Sequence, residues 1–100
     1  MGRSPVVYIL CSENWRALYI GITTDLGRRL DEHRRGLVPH IARYNIHRLI
    51  YFEPHEAAPD AIAREKQLKN WRREKKVALI VAGNPAWDDL SDGWFDSARG

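Results

Sequence analysis

The stretch Val6–Gly36, VVYILCSENWRALYIGITTDLGRRLDEHRRG, decides the fold. VVYILC (6–11) and ALYIGI (17–22) are rich in β-branched and aromatic residues, and the intervening SENWR carries turn formers. The pair reads as a β-hairpin. A turn symmetric about Glu13 and Asn14 sets Tyr8 opposite Tyr19. DLGRRLDEHRRG (25–36) then reads as a helix. Thr24 or Asp25 can cap its start, and Gly36 stands where a left-handed C-terminal residue is wanted. Arg34 and Arg35 suit the negative end of its dipole.

One face of this helix is anomalous. Leu26, Arg29, Leu30 and His33 form the i, i+3, i+4, i+7 stripe that should be buried. Arg28, Asp31, Glu32 and Arg35 lie on or toward the solvated side. An arginine on an inward stripe pairs with a carboxylate, snorkels past the edge, or lines a cleft that binds phosphate.

Further along, IHRLIYFE (46–53) reads as a third strand stopped by Pro54, and LVPHIARYN (37–45) as a loop. A helix is expected over about 60–73, with Asp60 in its first turn, and a shorter one over 74–83, ended by Gly83. The order β-β-α-β-α-α predicts an α+β domain: a small, mainly antiparallel three-stranded sheet with helices packed on it. On the second helix Ala58, Ala61, Ile62 and Leu68 mark the sheetward side, and Glu65 sits among them. It reads either as the partner of Arg29 in a structural ion pair or as a carboxylate placed to hold a divalent cation.

The chain has 100 residues, enough for one domain with a modest core. Cys11 is its one cysteine, which excludes an internal disulfide and suits a reducing cytoplasm. His40, His47 and His55 lack metal-ligand spacing, which argues against zinc. No apolar run approaches the roughly 20 residues of a membrane helix, and the N-terminal run is too short for a signal peptide. Residues 1–84 hold fifteen Lys/Arg against nine Asp/Glu, a difference of +6. Residues 85–100 hold four Asp against one Arg, a difference of −3. This division predicts a basic domain over 1–84 and an acidic, aromatic-containing tail over 85–100. A basic body suits a polyanion such as nucleic acid. Trp71, Trp87 and Trp94 read as packing anchors in preference to base-stacking platforms.

VVYIL, LYIG, TTDLGRRLDEH, AIAREKQLKNW (61–71) and NPAW (84–87) together resemble the GIY-YIG nuclease superfamily. The likeness is to its small stand-alone bacterial members and, more distantly, to the nuclease domain of the excinuclease C subunit. It extends over roughly residues 4–90. It implies a metal-dependent endonuclease acting on nucleic acid, DNA before RNA, with one Mg²⁺ or Mn²⁺. By position, Tyr8 and Tyr19 match the two motif tyrosines, Arg29 the catalytic arginine, His33 the helical histidine and Glu65 the metal ligand. Gly21 matches a glycine that lets substrate backbone approach, and Asn84 a polar residue that completes the site. Val6 and Val7 replace the glycine and isoleucine of the first motif. Either Tyr8 or His33 can serve as the base. Arg72, Arg73, Lys75 and Lys76 are expected to follow a phosphate backbone. Two other readings stay open: a nucleic-acid binding module with weak or lost catalysis, and an interaction protein in which Arg29–Glu65 is a plain ion pair.

Overall fold

The computed structural model describes residues 4–37 and 46–94. The expected loop over 37–45, with His40, therefore falls almost wholly outside the described residues. Strands β1 (Val6–Ser12), β2 (Leu18–Thr23) and β3 (Ile46–Pro54) and helices α1 (Leu26–Arg34), α2 (Ala58–Asn70) and α3 (Arg73–Gly83) follow the expected order β-β-α-β-α-α. The sheet order is β2-β1-β3, and both pairings are antiparallel.

Alternation along β1 divides the core into two layers. Val7, Ile9 and Cys11 join Ile20, Ile50, Ala61, Leu68 and Ile80 beneath α2 and α3. Tyr8 and Leu10 join Leu30, Ile46 and Leu49 beneath α1. Cys11 is a wholly buried strand residue whose thiol burial pushes up to about 11, so it stays protonated and inert.

The hairpin register differs from the symmetric expectation by two residues. Tyr8 pairs with Gly21, and Tyr19 pairs with Leu10. The cause is local. Ser12 Oγ accepts from the backbone N–H groups of Arg16 and Ala17 at 3.2 and 3.1 Å, and donates to Asn14 Oδ1 at 2.6 Å. Trp15 takes a left-handed φ of 56°. The turn is thus centred between Asn14 and Trp15. Because the slip is even, both tyrosines keep the same face.

α1 is bounded by local chemistry. Asp25 accepts from the Arg28 N–H at 3.2 Å. At the other end Gly36 has φ 73°, and the N–H groups of Gly36 and Leu37 bond to the carbonyls of His33 and Glu32, a Schellman motif. α2 starts two residues earlier than the pattern suggests, since Pro59 is tolerated in a first turn that needs no N–H there. It ends earlier too, where Trp71 turns extended and packs against the α2–α3 core layer. Ala58 and Ile62 are exposed, against expectation; Ala61 and Leu68 carry the buried stripe. Arg64, on one flank, bonds to Glu53 of β3 at 3.0 Å. Burial alone would raise the Glu53 carboxyl, but hydrogen bonds from Tyr51, Arg64 and His55 prevail and hold it low.

Residues 84–94 lie on the domain rather than hanging from it. Leu90 N–H donates to Leu49 O at 2.7 Å, continuing past the edge of β3. Asp89 Oδ1 accepts from Leu49 N, Ser91 N and Ser91 Oγ, and Asp89 Oδ2 stands 3.6 Å from Arg34 of α1. Asp89→Ala should therefore take the acceptor from the Leu49 N–H, the Ser91 N–H and the buried Ser91 O–H, leaving Ser91 Oγ with Arg34 alone. We expect a loss of about 1–3 kcal/mol, read from the denaturant midpoint. An unchanged midpoint would mean this segment contributes nothing to the fold.

Candidate active site

The site begins with Gly21. A Cβ built there would lie 2.5 Å from Tyr8 Cζ and Oη and 3.0 Å from Tyr19 Cε2. The glycine's missing side chain is thus room for the Tyr8 ring, not for substrate backbone as the sequence suggested. Tyr8 leans across Gly21 of the edge strand β2, and α1 supplies His33 to the same cluster. The ring centroids are 6.3 Å apart for Tyr8–Tyr19, 6.3 Å for Tyr8–His33 and 5.7 Å for Tyr19–His33. Tyr8 Oη lies 3.4 Å from His33 Nε2, while His33 Nδ1 is buried with no hydrogen-bond partner among the described residues.

Electrostatics follow from this packing. Burial, then Tyr19, push the Tyr8 phenol up; Glu65 and Glu32 add to the rise and Arg29 opposes it. Burial, then Arg29, hold the His33 imidazole below its usual range, against Glu32. At neutral pH the pair is accordingly a protonated phenol beside a neutral imidazole. Arg29, with its side chain 42% exposed, opens onto a depression lined by Thr23, Thr24, Asp25, Arg28 and Glu32.

Four of the expected residues, Tyr8, Tyr19, Arg29 and His33, therefore converge. Glu65, on α2 against β2, contributes its charge to the same phenol. The Arg29–Glu65 ion pair does not form. Arg29 Nη1 stands 3.7 Å from Glu32, and Glu65 pairs with Lys69 at 3.2 Å. Glu32 is thus a member of the site that its solvated position concealed; its i, i+3 and i, i+4 spacing from Arg29 and Arg28 was the available signal. Lys69, four residues after Glu65, was missed in the same way. Asn84 does not join the cluster. It is buried, and its amide bonds to the Ile50 and Asp88 carbonyls and the Asp88 N–H, fixing the end of α3 against β3. Arg73 donates to the carbonyls of Trp15 and Arg16, tying α3 to the hairpin turn. Arg72 and Lys75 line a separate groove beside Trp71, with Lys75 Nζ 4.7 Å from the indole centroid.

With a tyrosine pair, an arginine and a histidine gathered on one face, the GIY-YIG catalytic-domain model matches residues 4–78. The chain belongs to the GIY-YIG family. Its relatives are small proteins. A UPF0213 protein of Haloquadratum walsbyi is 39% identical over 82 residues, spanning 77% of this chain and 86% of the relative. A UPF0213 protein of Staphylococcus aureus is 35% identical over 80 residues, spanning 77% and 94%. The solution NMR structure of a UPF0213 protein from Bacillus halodurans is similar with a TM-score of 0.57 at 25% identity, covering 90% of this chain and 96% of that one. This GIY-YIG member is thus similar to small UPF0213 proteins over most of their length. Among the described residues no helix is long and apolar enough to cross a membrane.

The close fit at Gly21 makes a direct prediction. Gly21→Ala must push the Tyr8 ring off its place beside His33. On the expectation that Tyr8 takes part in catalysis, a displacement of an ångström would cost on the order of 10²-fold in rate, and overpacking costs about 1–3 kcal/mol. Cleavage assays and a thermal melt check both. A variant with wild-type rate would show that the Tyr8 position is not critical.

Proposed function

We propose that this GIY-YIG domain is a divalent-metal-dependent nuclease that hydrolyses phosphodiester bonds in DNA. The observation that carries the reading is the Tyr8–His33 contact, set beside Arg29 and under the charge of Glu65. The donor chemistry fits a hard cation: Glu65 offers a carboxylate with 17% of its side chain exposed, and Mg²⁺ typically binds through one or two carboxylates while keeping several waters. Glu65 would hold it, and the cation when bound supplies Lewis-acid charge to the phosphate and leaving oxygen.

The chain's own groups do the rest. Arg29 leaves Glu32 for the phosphate and clamps its non-bridging oxygens as charge develops. Tyr8 takes a proton from the attacking water while its own proton passes to His33 Nε2, so a free phenolate need not accumulate. The neutral state of His33 is what lets Nε2 accept. Tyr19 orients the water or the phosphate. Lys69 pairs with Glu65 and would give way to a cation held there. Cytoplasmic residence fits the reduced, buried Cys11.

Assaying labelled duplex, single-stranded and branched DNA, with RNA counterparts, in Mg²⁺ and in Mn²⁺ tests this reading. Metal-dependent cleavage of DNA supports it; binding without cleavage in every case would instead favour a binding module.

Affinity should also depend on the groove that Arg72 and Lys75 line, and on Lys76 beside them in sequence. Replacing Arg72, Lys75 and Lys76 by alanine should flatten the dependence of log affinity on log salt, by about 0.9 for each duplex phosphate that is no longer neutralised. Arg73→Ala should mainly loosen the hairpin turn, given its bonds to Trp15 and Arg16. An unchanged slope in the triple variant would place the phosphate track elsewhere.

A further inference from the structure

The row of the sheet that carries Tyr8 has a second side. Gly21 is its partner on β2, and Phe52 is its partner on β3, so all three face α1. The Tyr8 ring leans over Gly21, away from Phe52. Phe52 is 39% exposed on this face, one strand spacing from the catalytic tyrosine. Against it stands Trp94, 40% exposed, with ring centroids 6.2 Å apart and planes at 73°.

Trp94 is held in place. Its backbone N–H donates to the Ser91 carbonyl at 3.0 Å, and Gly93 takes a left-handed φ of 87°. Ser91 is fixed to Asp89, and Leu90 to β3. The Asp89 turn therefore presents an indole beside the site instead of burying it. Trp94 packs on Phe52, in keeping with the anchor reading, yet leaves 40% of its surface exposed. Two fixed aromatics left in solvent, on the catalytic face and beside an arginine-bearing helix, match the parts of a nucleic-acid strand: Arg29 for phosphate, the rings for a base.

We infer that Phe52 and Trp94 form an aromatic corner, one ring stacking on the face of an unpaired nucleobase and the other meeting its edge, next to the scissile phosphate. The inference rests on the nuclease reading and names its substrate class, a polynucleotide with at least one unstacked base at the cut: a single strand, a flap or a loop. A base inside a duplex has both faces covered by its neighbours, and a sheet-borne ring cannot reach them. Base stacking on an aromatic ring is sequence-tolerant, so the corner selects for strand state and not for sequence.

The test is binding by fluorescence anisotropy in EDTA, where no cleavage intrudes. The probes are a labelled single-stranded DNA and a strand of the same length with abasic sites, which keeps the phosphates and lacks the bases. Wild type should bind the abasic strand roughly 5- to 150-fold more weakly. Phe52→Leu and Trp94→Leu should each lose most of that preference while binding the abasic strand as wild type does. Phe52→Tyr and Trp94→Phe, which keep a ring, should retain it. Equal affinity of wild type for the two strands overturns the aromatic corner, and this comparison needs no variant to fold. Equal losses on both strands in the leucine variants also overturn it. If wild type still cleaves DNA in Mg²⁺ in either case, the aromatic corner alone has failed; if it neither binds nor cleaves, the nuclease reading falls with it.

Discussion

Glu65→Ala should abolish cleavage and leave the fold intact. The two effects separate because of where Glu65 sits. It belongs to neither buried layer, and its ion-pair partner Lys69 is itself half exposed, so the i, i+4 pair is worth about 0.3–0.5 kcal/mol. The freed ammonium is readily solvated. By contrast, on the proposed reading, loss of the cation would take away several kcal/mol of transition-state charge stabilisation, a rate loss of at least about 10³-fold. Calorimetric titration with Mn²⁺ should show one site in wild type and none in the variant, with unchanged melting. A variant that binds Mn²⁺ as wild type does would remove Glu65 from the role of ligand.

Tyr8→Phe should lower the single-turnover rate by roughly 10²–10⁴-fold while oligonucleotide affinity stays within a few-fold. The phenyl ring can still lie over Gly21 and against Tyr19, so packing is kept. Only the hydroxyl at 3.4 Å from His33 Nε2 is removed, and stability should fall by no more than about 1 kcal/mol. A rate within a few-fold of wild type would move the base role to His33 acting directly. A parallel loss of affinity would instead make Tyr8 a binding residue.

What was legible in the sequence was what local chemistry controls. Strand composition, the Asp25 cap, Gly36 and the breaks at Pro54 and Gly83 are each specified by a few neighbouring residues, and together they yield the element order and the α+β class. Arg29 and His33 were visible as polar residues on an inward stripe. The hairpin register was not visible, because it depends on the Ser12 hydroxyl gathering two backbone N–H groups and on a left-handed Trp15. The function of Gly21 followed the register: paired with Tyr8, it accommodates a ring. Glu32 and Lys69 looked like ordinary surface charges, since helical periodicity says which face a residue occupies and not which charge it meets. Ile62 looked buried because an apolar residue at core spacing carries no sign that Ala61 and Leu68 already fill the contact. Asn84 and the segment to Trp94 were hardest, as their partners, Ile50, Leu49 and Phe52, lie more than thirty positions away.

The most direct measurement is cleavage of one labelled oligonucleotide by wild type and by Glu65→Gln, side by side, with Mg²⁺ and then with EDTA. Metal-dependent cleavage by wild type, abolished by EDTA and absent from the well-folded glutamine variant, is the predicted result. Cleavage that persists in EDTA, or that Glu65→Gln performs at the wild-type rate, would contradict the account of a metal-dependent site built on Tyr8, Tyr19, Arg29, His33 and Glu65.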